Sequence, residues 1–330
     1  LGSPLPCPTV AGHRGWAMSE LRDALEEYLA VRRSLGFDLR LPASLLRNFV
    51  SFLEANEATY ITRALAVRWA EQPRDAQPFT WAGRLGMVRR FARWRSVTDP
   101  RTEVPPDGLL PYRYHRNPPY IYSDEEIERL LGATAELPSA NGLKACSYST
   151  LFGLLSVTGL RVSEALMLDR ADVDLAQGIL SIRRTKFGKS RLVPVHRSTG
   201  DVLESYDEQR TRVFPHPATP AFFLSERGGR ITEWSARYTF AKLSQRIGLR
   251  APAKGHGRGP RIHDMRHRFA ARTLLQWYRT GIDVERELPR LATYLGHVHV
   301  NETYWYLEAV PELLQLATKR LVEKAEEVSS

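Results

Sequence analysis

Thr158-Gly159-Leu160-Arg161-Val162-Ser163-Glu164-Ala165-Leu166 is the stretch on which the reading of this chain turns. A mostly apolar helical run over about 143–157 leads into it. Gly159 is a stop signal, and helical residues resume almost at once. An arginine between two helices that follow each other so closely is held at a junction instead of waving from a surface. Taken alone, Arg161 is equally well explained as a salt-bridge partner of Glu164, three residues on.

Downstream, Ile179-Leu180-Ser181-Ile182 alternates, Thr185–Ser190 reads as a turn, and Arg191-Leu192-Val193-Pro194-Val195 alternates again. The pattern predicts a β-hairpin with Lys186 at its bend. Helices are expected over about 198–212, 232–246, 263–280, 284–294 and 310–326. Residues 250–262 form a basic Gly/Pro-rich loop; between Arg250 and Arg272, seven Lys/Arg stand against one acid, Asp264. Near the end come His297 and, nine residues later, Tyr306. A phenol with a free pKa of about 10 is a poor nucleophile unless cations stabilise the developing charge.

Upstream, Ser123-Asp124-Glu125-Glu126 reads as a helix start. Residues 99–119 carry Pro100, Pro105, Pro106, Pro111, Pro118 and Pro119 and no periodicity, which predicts a linker. Residues 18–98 contain four amphipathic helices, the last over about 79–97. That last helix carries Arg84, Arg89 and Arg93 as candidate DNA contacts, a solvated face being the plainer explanation. Residues 1–17 are expected to be a flexible extension, with the first helix opening at Met18. The expected division is therefore extension 1–17, helical domain 18–98, linker 99–119 and second domain 120–330.

The 330 residues suit about two domains. Lys+Arg number 47 against 37 Asp+Glu, a net charge of +10, which favours a polyanionic partner. No apolar run approaches the roughly 18 residues of a membrane span, and no signal peptide is visible. A cytoplasmic, nucleoid-associated protein is expected. Cys7 and Cys146 make neither a metal spacing nor a disulfide framework.

Four separated pieces together resemble the tyrosine recombinase (phage-integrase-like) family. They are T-G-L-R-V-S-E-A-L at 158–166, T-K-F-G-K-S-R-L-V-P at 185–194, H-D-M-R-H at 263–267, and L-G-H followed by a tyrosine nine residues past the histidine. Domain order and size agree over roughly 18–326. The resemblance implies a mainly α fold: an N-terminal helical, SAM-like core-binding domain and an α-rich catalytic domain with a small β-hairpin or sheet. It implies that Arg161 and Arg266 grip the scissile phosphate and Lys186 protonates the leaving 5′ oxygen. His263 would handle the proton of the attacking phenol, His297 would donate to the phosphate, and Tyr306 would attack; Glu164 would support. Lys189, Arg191 and Arg258 join the candidate DNA contacts. The implied reaction is site-specific DNA strand exchange through a 3′-phosphotyrosine, with no metal or other cofactor. The implied partners are double-stranded recombination sites, a tetramer of the chain on DNA, and helper recombinases or directionality factors, in the service of a mobile element. The Tyr-Trp-Tyr-Leu context also resembles transposon-encoded integrases.

Chemistry agrees with that set. Guanidiniums can each give bidentate hydrogen bonds to a phosphate, which ammoniums cannot. Zinc on His263 and His267 is disfavoured by Arg266 beside them. Phe187 stands where the family often has a small residue. Tyr304 rivals Tyr306, but the family spacing from His297 favours Tyr306; Lys189 rivals Lys186, but the pattern K-x-x-K-x-R-x-V-P places Lys186 in the catalytic slot. A type IB topoisomerase-like enzyme would use the same residues without partner exchange, and a non-catalytic DNA-binding protein would have no need of all six. The terminal helix is expected to dock either on a neighbouring protomer or on its own domain.

Overall fold

A computed structural model describes residues 11–112, 118–183, 190–251 and 259–329. The chain divides into two compact units, Leu1–Arg116 and Asn117–Ser330. The first holds α1 (Ala11–Ser34), α2 (Arg40–Ala55), α3 (Arg63–Ala70) and α4 (Pro78–Arg95). Their apolar stripes meet in one core built on Leu25, Leu29, Phe49, Leu53, Trp69, Val88 and Phe91. The first helix begins at Ala11, seven residues before the expected start. Pro8 is the last proline before it, so nothing beyond that point removes a backbone donor.

Residues 99–107 are not loose. Asp99 is buried and bonded to Arg101, Glu103 donates its backbone N–H to Ile61 O at 2.8 Å, and Arg63 N donates to the Glu103 carboxylate at 2.7 Å. This part of the expected linker is pinned to the first unit.

The second unit runs α5 (Asp124–Thr134), α6 (Leu143–Thr158), α7 (Val162–Leu166), a small sheet, then α8 (Arg197–Val213) and α9 (Glu233–Arg246). It ends with α10 (Asp264–Arg279), α11 (Val284–Leu295), α12 (Asn301–Ala309) and α13 (Pro311–Ser329). Ser123 opens α5 with a reciprocal cap: its hydroxyl accepts from Glu126 N, and the Glu126 carboxylate accepts from Ser123 N. The sheet has three antiparallel strands in chain order, β1 (Val173–Asp174), β2 (Ile179–Ile182) and β3 (Arg191–Pro194). The two longer strands are the expected hairpin; β1 is too short to show as a period in sequence. Leu180 pairs with Val193 and Ile182 with Arg191, so both partners of each pair face the core side.

Two apolar clusters build this unit. One joins α5, α6, α8, α9 and the sheet around Leu151, Phe152, Leu155, Phe223 and Phe240. The other joins α10 to α13 around Leu274, Leu288, Leu295, Tyr306 and Leu313. The last helix packs on its own unit: Leu313 is fully buried, Arg279 pairs with Glu312, and Arg320 donates to the carbonyls of Gly281 and Ile282. No described helix is long and apolar enough to cross a membrane.

Candidate active site

The α6–α7 junction is built around Gly159, which ends α6 in the left-handed region at φ +62°. A Cβ there would stand 2.7 Å from the Phe269 ring and 3.2 Å from Leu295, so only glycine fits. Arg161 follows as the residue that starts α7. Its backbone N–H donates to Glu164 Oε2 at 3.0 Å, and its Nη1 donates to Glu164 Oε1 at 2.8 Å. The local salt bridge that the spacing allowed is therefore present. It anchors the guanidinium, whose side chain is still 28% exposed.

Three arginines converge on the end of α11. Its last carbonyls lack intrahelical partners and carry the negative end of the helix dipole. Arg191 Nε donates to Tyr294 O at 2.8 Å, Arg266 Nη2 to Leu295 O at 2.6 Å, and Arg161 Nη2 to Gly296 O at 3.1 Å. Arg266 Nη1 also donates to Gly159 O at 2.9 Å, tying α10 to the α6–α7 junction. Gly296 closes α11 at φ +69°, and a Cβ there would meet the Arg191 guanidinium at 2.7 Å.

Charge is unbalanced at this point. Arg161 and Arg191 share the carboxylate of Glu164, and the buried Arg266 lies close enough to feel all three. Burial, then Arg161, brings the Arg266 guanidinium down to about 10. Burial alone would raise the Glu164 carboxyl, but its bonds with Arg191 and Arg161 outweigh that and hold it below its ordinary range. Three cations around one carboxylate make a site that favours an added anion.

The phenol lies on α12. Among the side chains described over this stretch and the start of α13, Thr303, Tyr306, Val310 and Leu313 are buried, whereas Tyr304 is 43% exposed. Tyr306 is 1% exposed, and its hydroxyl lies 3.0 Å from His267 Nδ1. The His297 ring lies nearly parallel to that of Tyr306, 6.5 Å between centroids, with its Nδ1 2.7 Å from Thr303 Oγ1.

His263, at the start of α10, meets His267 edge to face at 4.9 Å. Burial, then Arg266, lowers its imidazole to about 4, so it stays neutral near pH 7. His267, one helical turn further along α10 than His263, is an imidazole bonded to the Tyr306 hydroxyl. Sequence carried a signal for this only in the i, i+4 spacing, which reads equally as a metal pair. Among the described residues no cluster of His, Cys, Asp or Glu could hold a metal ion.

Other expected contacts fall differently. Lys186, Lys189 and Arg258 lie outside the described residues. Arg191 is 11% exposed and bidentate on Glu164 at 2.9 and 3.1 Å. The alternation of β3 could have shown this, because Arg191 shares a face with buried Val193 while the apolar Leu192 points out. On α4, Arg84 stacks 3.8 Å over Trp69 and donates to its carbonyl. Arg89 is 16% exposed, donates to Pro105 O and Pro106 O at 2.7 Å each, and pairs with Asp107. Both are committed to the fold. Arg93 is exposed.

Residues 121–312 match the phage integrase family. A Sinorhizobium fredii protein, y4rB, named as an integrase/recombinase, is 50% identical over 94% of this chain and 99% of its own length. Two solved structures share the fold. XerH recombinase in a post-cleavage complex with a palindromic difH substrate matches at 17% identity with TM-score 0.61, over 91% of this chain and 84% of that one. The Tn1549 transposon integrase in complex with transposon right-end DNA matches at 15% with TM-score 0.61, over 91% and 99%. An anion-seeking arginine cluster beside a buried phenol on a mainly α scaffold fits the same class. The chain belongs to the phage integrase family and is a tyrosine-type site-specific DNA recombinase.

Proposed function

We propose that this recombinase breaks and rejoins double-stranded DNA with Tyr306 as nucleophile, in the service of a mobile element. The observation that carries the reading is the placement of the Tyr306 hydroxyl on His267, beside guanidiniums that converge on the end of α11. Arg161 has N–H groups beyond those bound to Glu164 and Gly296, and these grip a non-bridging phosphate oxygen. Arg266 supports the same phosphate from behind, and His297 donates to it. His263, at the start of α10, handles the proton of the attacking phenol. Lys186 protonates the leaving 5′ oxygen. The covalent phosphotyrosine conserves the energy of the broken bond, so a 5′ hydroxyl of a partner strand can reseal it.

Exchange between two duplexes calls for four active tyrosines, hence a tetramer on DNA. Helper recombinases or directionality factors would bias the outcome. Structural neighbours solved with a difH substrate and with transposon right-end DNA support DNA sites as the substrate. The helical domain over residues 18–98, within the first unit, serves as the core-binding domain, with Arg93 contacting phosphate. A nicked suicide duplex carrying the target site tests the assignment. It should trap a covalent adduct with wild type and with Tyr304→Phe, and none with Tyr306→Phe. An undiminished adduct in Y306F would sink the nucleophile.

A further inference from the structure

We propose that Thr303 is a positioning residue for His297: its hydroxyl donates to the ring's Nδ1 and so holds the imidazole proton on Nε2, where His297 presents it to the scissile phosphate. The inference rests on the reading that His297 donates to that phosphate. Thr303 is fully buried on the face of α12 that carries Tyr306, and its Oγ1 lies 2.7 Å from His297 Nδ1. Its neighbours along that face, Val300 and Tyr306, belong to the apolar cluster of α10 to α13, so valine would suit the position by shape. A hydroxyl taken out of water there needs a hydrogen-bond partner. Thr158, Thr273, Thr293 and Thr318 each direct their hydroxyl to the carbonyl four residues back, a common habit of helical threonines. Thr303 instead faces an imidazole from the turn that precedes its helix.

Both partners are fixed through their backbones. His297 closes α11: its N–H donates to Ala292 O at 2.9 Å, directly after Gly296 in the left-handed region. Thr303 lies in the first turn of α12, its N–H donating to Val300 O at 2.7 Å. The bond between their side chains therefore ties the end of α11, where Arg161, Arg191 and Arg266 converge, to the helix that carries Tyr306 three residues further on. It also holds the His297 ring nearly parallel to the Tyr306 ring.

The chemistry of the ring sets the direction of the bond. A neutral imidazole has one donor and one acceptor nitrogen, and the partner of one nitrogen decides the role of the other. Were Thr303 to accept from Nδ1, Nε2 would present a lone pair to the phosphate, and two acceptors repel. With Thr303 as donor, the proton sits on Nε2 and points at the anion. A hydroxyl can serve either way, so the phosphate selects the arrangement and Thr303 completes it. The branched Cβ restricts χ1, which keeps the hydroxyl aimed at the ring before DNA arrives.

The test is single-turnover cleavage of the nicked suicide duplex by the full chain, with duplex affinity and Tm measured alongside. Thr303→Val keeps the shape and removes the donor. It should bind the duplex as wild type does and cleave about 10- to 100-fold more slowly, the range for removing the group that orients a histidine at a metal. Thr303→Ser, which keeps the hydroxyl, should recover most of that rate. His297→Ala should slow cleavage about 10²- to 10³-fold, and adding T303V to it should slow it no further, because Thr303 acts through the imidazole. A threonine that only supports the fold would slow both backgrounds alike. Wild-type cleavage by T303V, no recovery in T303S, or an equal further loss in the H297A background would each overturn the proposal. Should T303V not fold, Thr303→Ala takes its place in the same comparisons. H297A that cleaves as wild type does removes the His297 reading and this proposal with it, whereas an impaired H297A beside a normal T303V removes this inference alone.

Discussion

Glu164→Gln should lower the melting temperature of the catalytic unit by about 6–12 °C. Glu164 is buried and accepts two bonds from Arg191, at 2.9 and 3.1 Å, one from Arg161 Nη1 at 2.8 Å, and one from the Arg161 backbone N–H. Removing one partner of a buried ion pair destabilises by about 3–5 kcal/mol, because the other charge is left without compensation. Glutamine keeps the shape and one acceptor, and Arg191 keeps the Tyr294 carbonyl, so the lower end, about 3 kcal/mol, is expected. The unit spans Asn117–Ser330, a size at which 1 kcal/mol moves Tm by about 2–4 °C.

The pH dependence has a definite sign. Glu164 is held below its ordinary range in the fold. Its stabilisation is therefore full above that range and is lost as pH falls through the folded value. Thermal unfolding followed by circular dichroism should show a constant gap between wild type and E164Q at neutral pH that closes in acid, below about pH 4. A Tm within about 2 °C of wild type at pH 7, less than 1 kcal/mol, would refute the view that one carboxylate holds both arginines.

Gly159→Ala should destabilise by at least about 1–2 kcal/mol from the left-handed backbone alone, with more from the 2.7 Å approach to Phe269; a denaturant midpoint equal to wild type would contradict the junction geometry. Arg89→Ala should lower stability by about 2 kcal/mol, through lost bonds to the carbonyls of Pro105 and Pro106, and leave the salt dependence of DNA binding nearly unchanged. Arg93→Ala should do the reverse, holding Tm while reducing the slope of log K against log salt by about 1. Equal slopes in R93A and wild type would remove Arg93 from the interface.

Element types were legible because they depend on neighbours along the chain. Apolar periodicity places nearly every helix, the hairpin alternates as expected, and Gly159 stops α6 where the sequence says it must. The junction that holds Arg161 is equally local, since Glu164 lies one turn away on α7. The start of α1 departed from expectation because glycines near a proline-rich stretch weaken the helical signal without forbidding the helix.

What tertiary structure alone decided is which polar side chains meet. Arg84, Arg89, Arg93 and Arg191 are indistinguishable as letters in a basic chain. Three of them are spent on carbonyls, an aromatic face or a carboxylate of their own unit. Arg161 reaches Gly296 across 135 residues, and His267 reaches Tyr306 across 39. A helix presents several faces, and periodicity identifies the buried one without saying which element covers it. The meeting of His267 with Tyr306, and the inward turn of Tyr306 with Tyr304 outside, follow from α10, α11 and α12 packing on one another, because a hydrogen bond acts only over about 3 Å and needs its partner brought there by the fold.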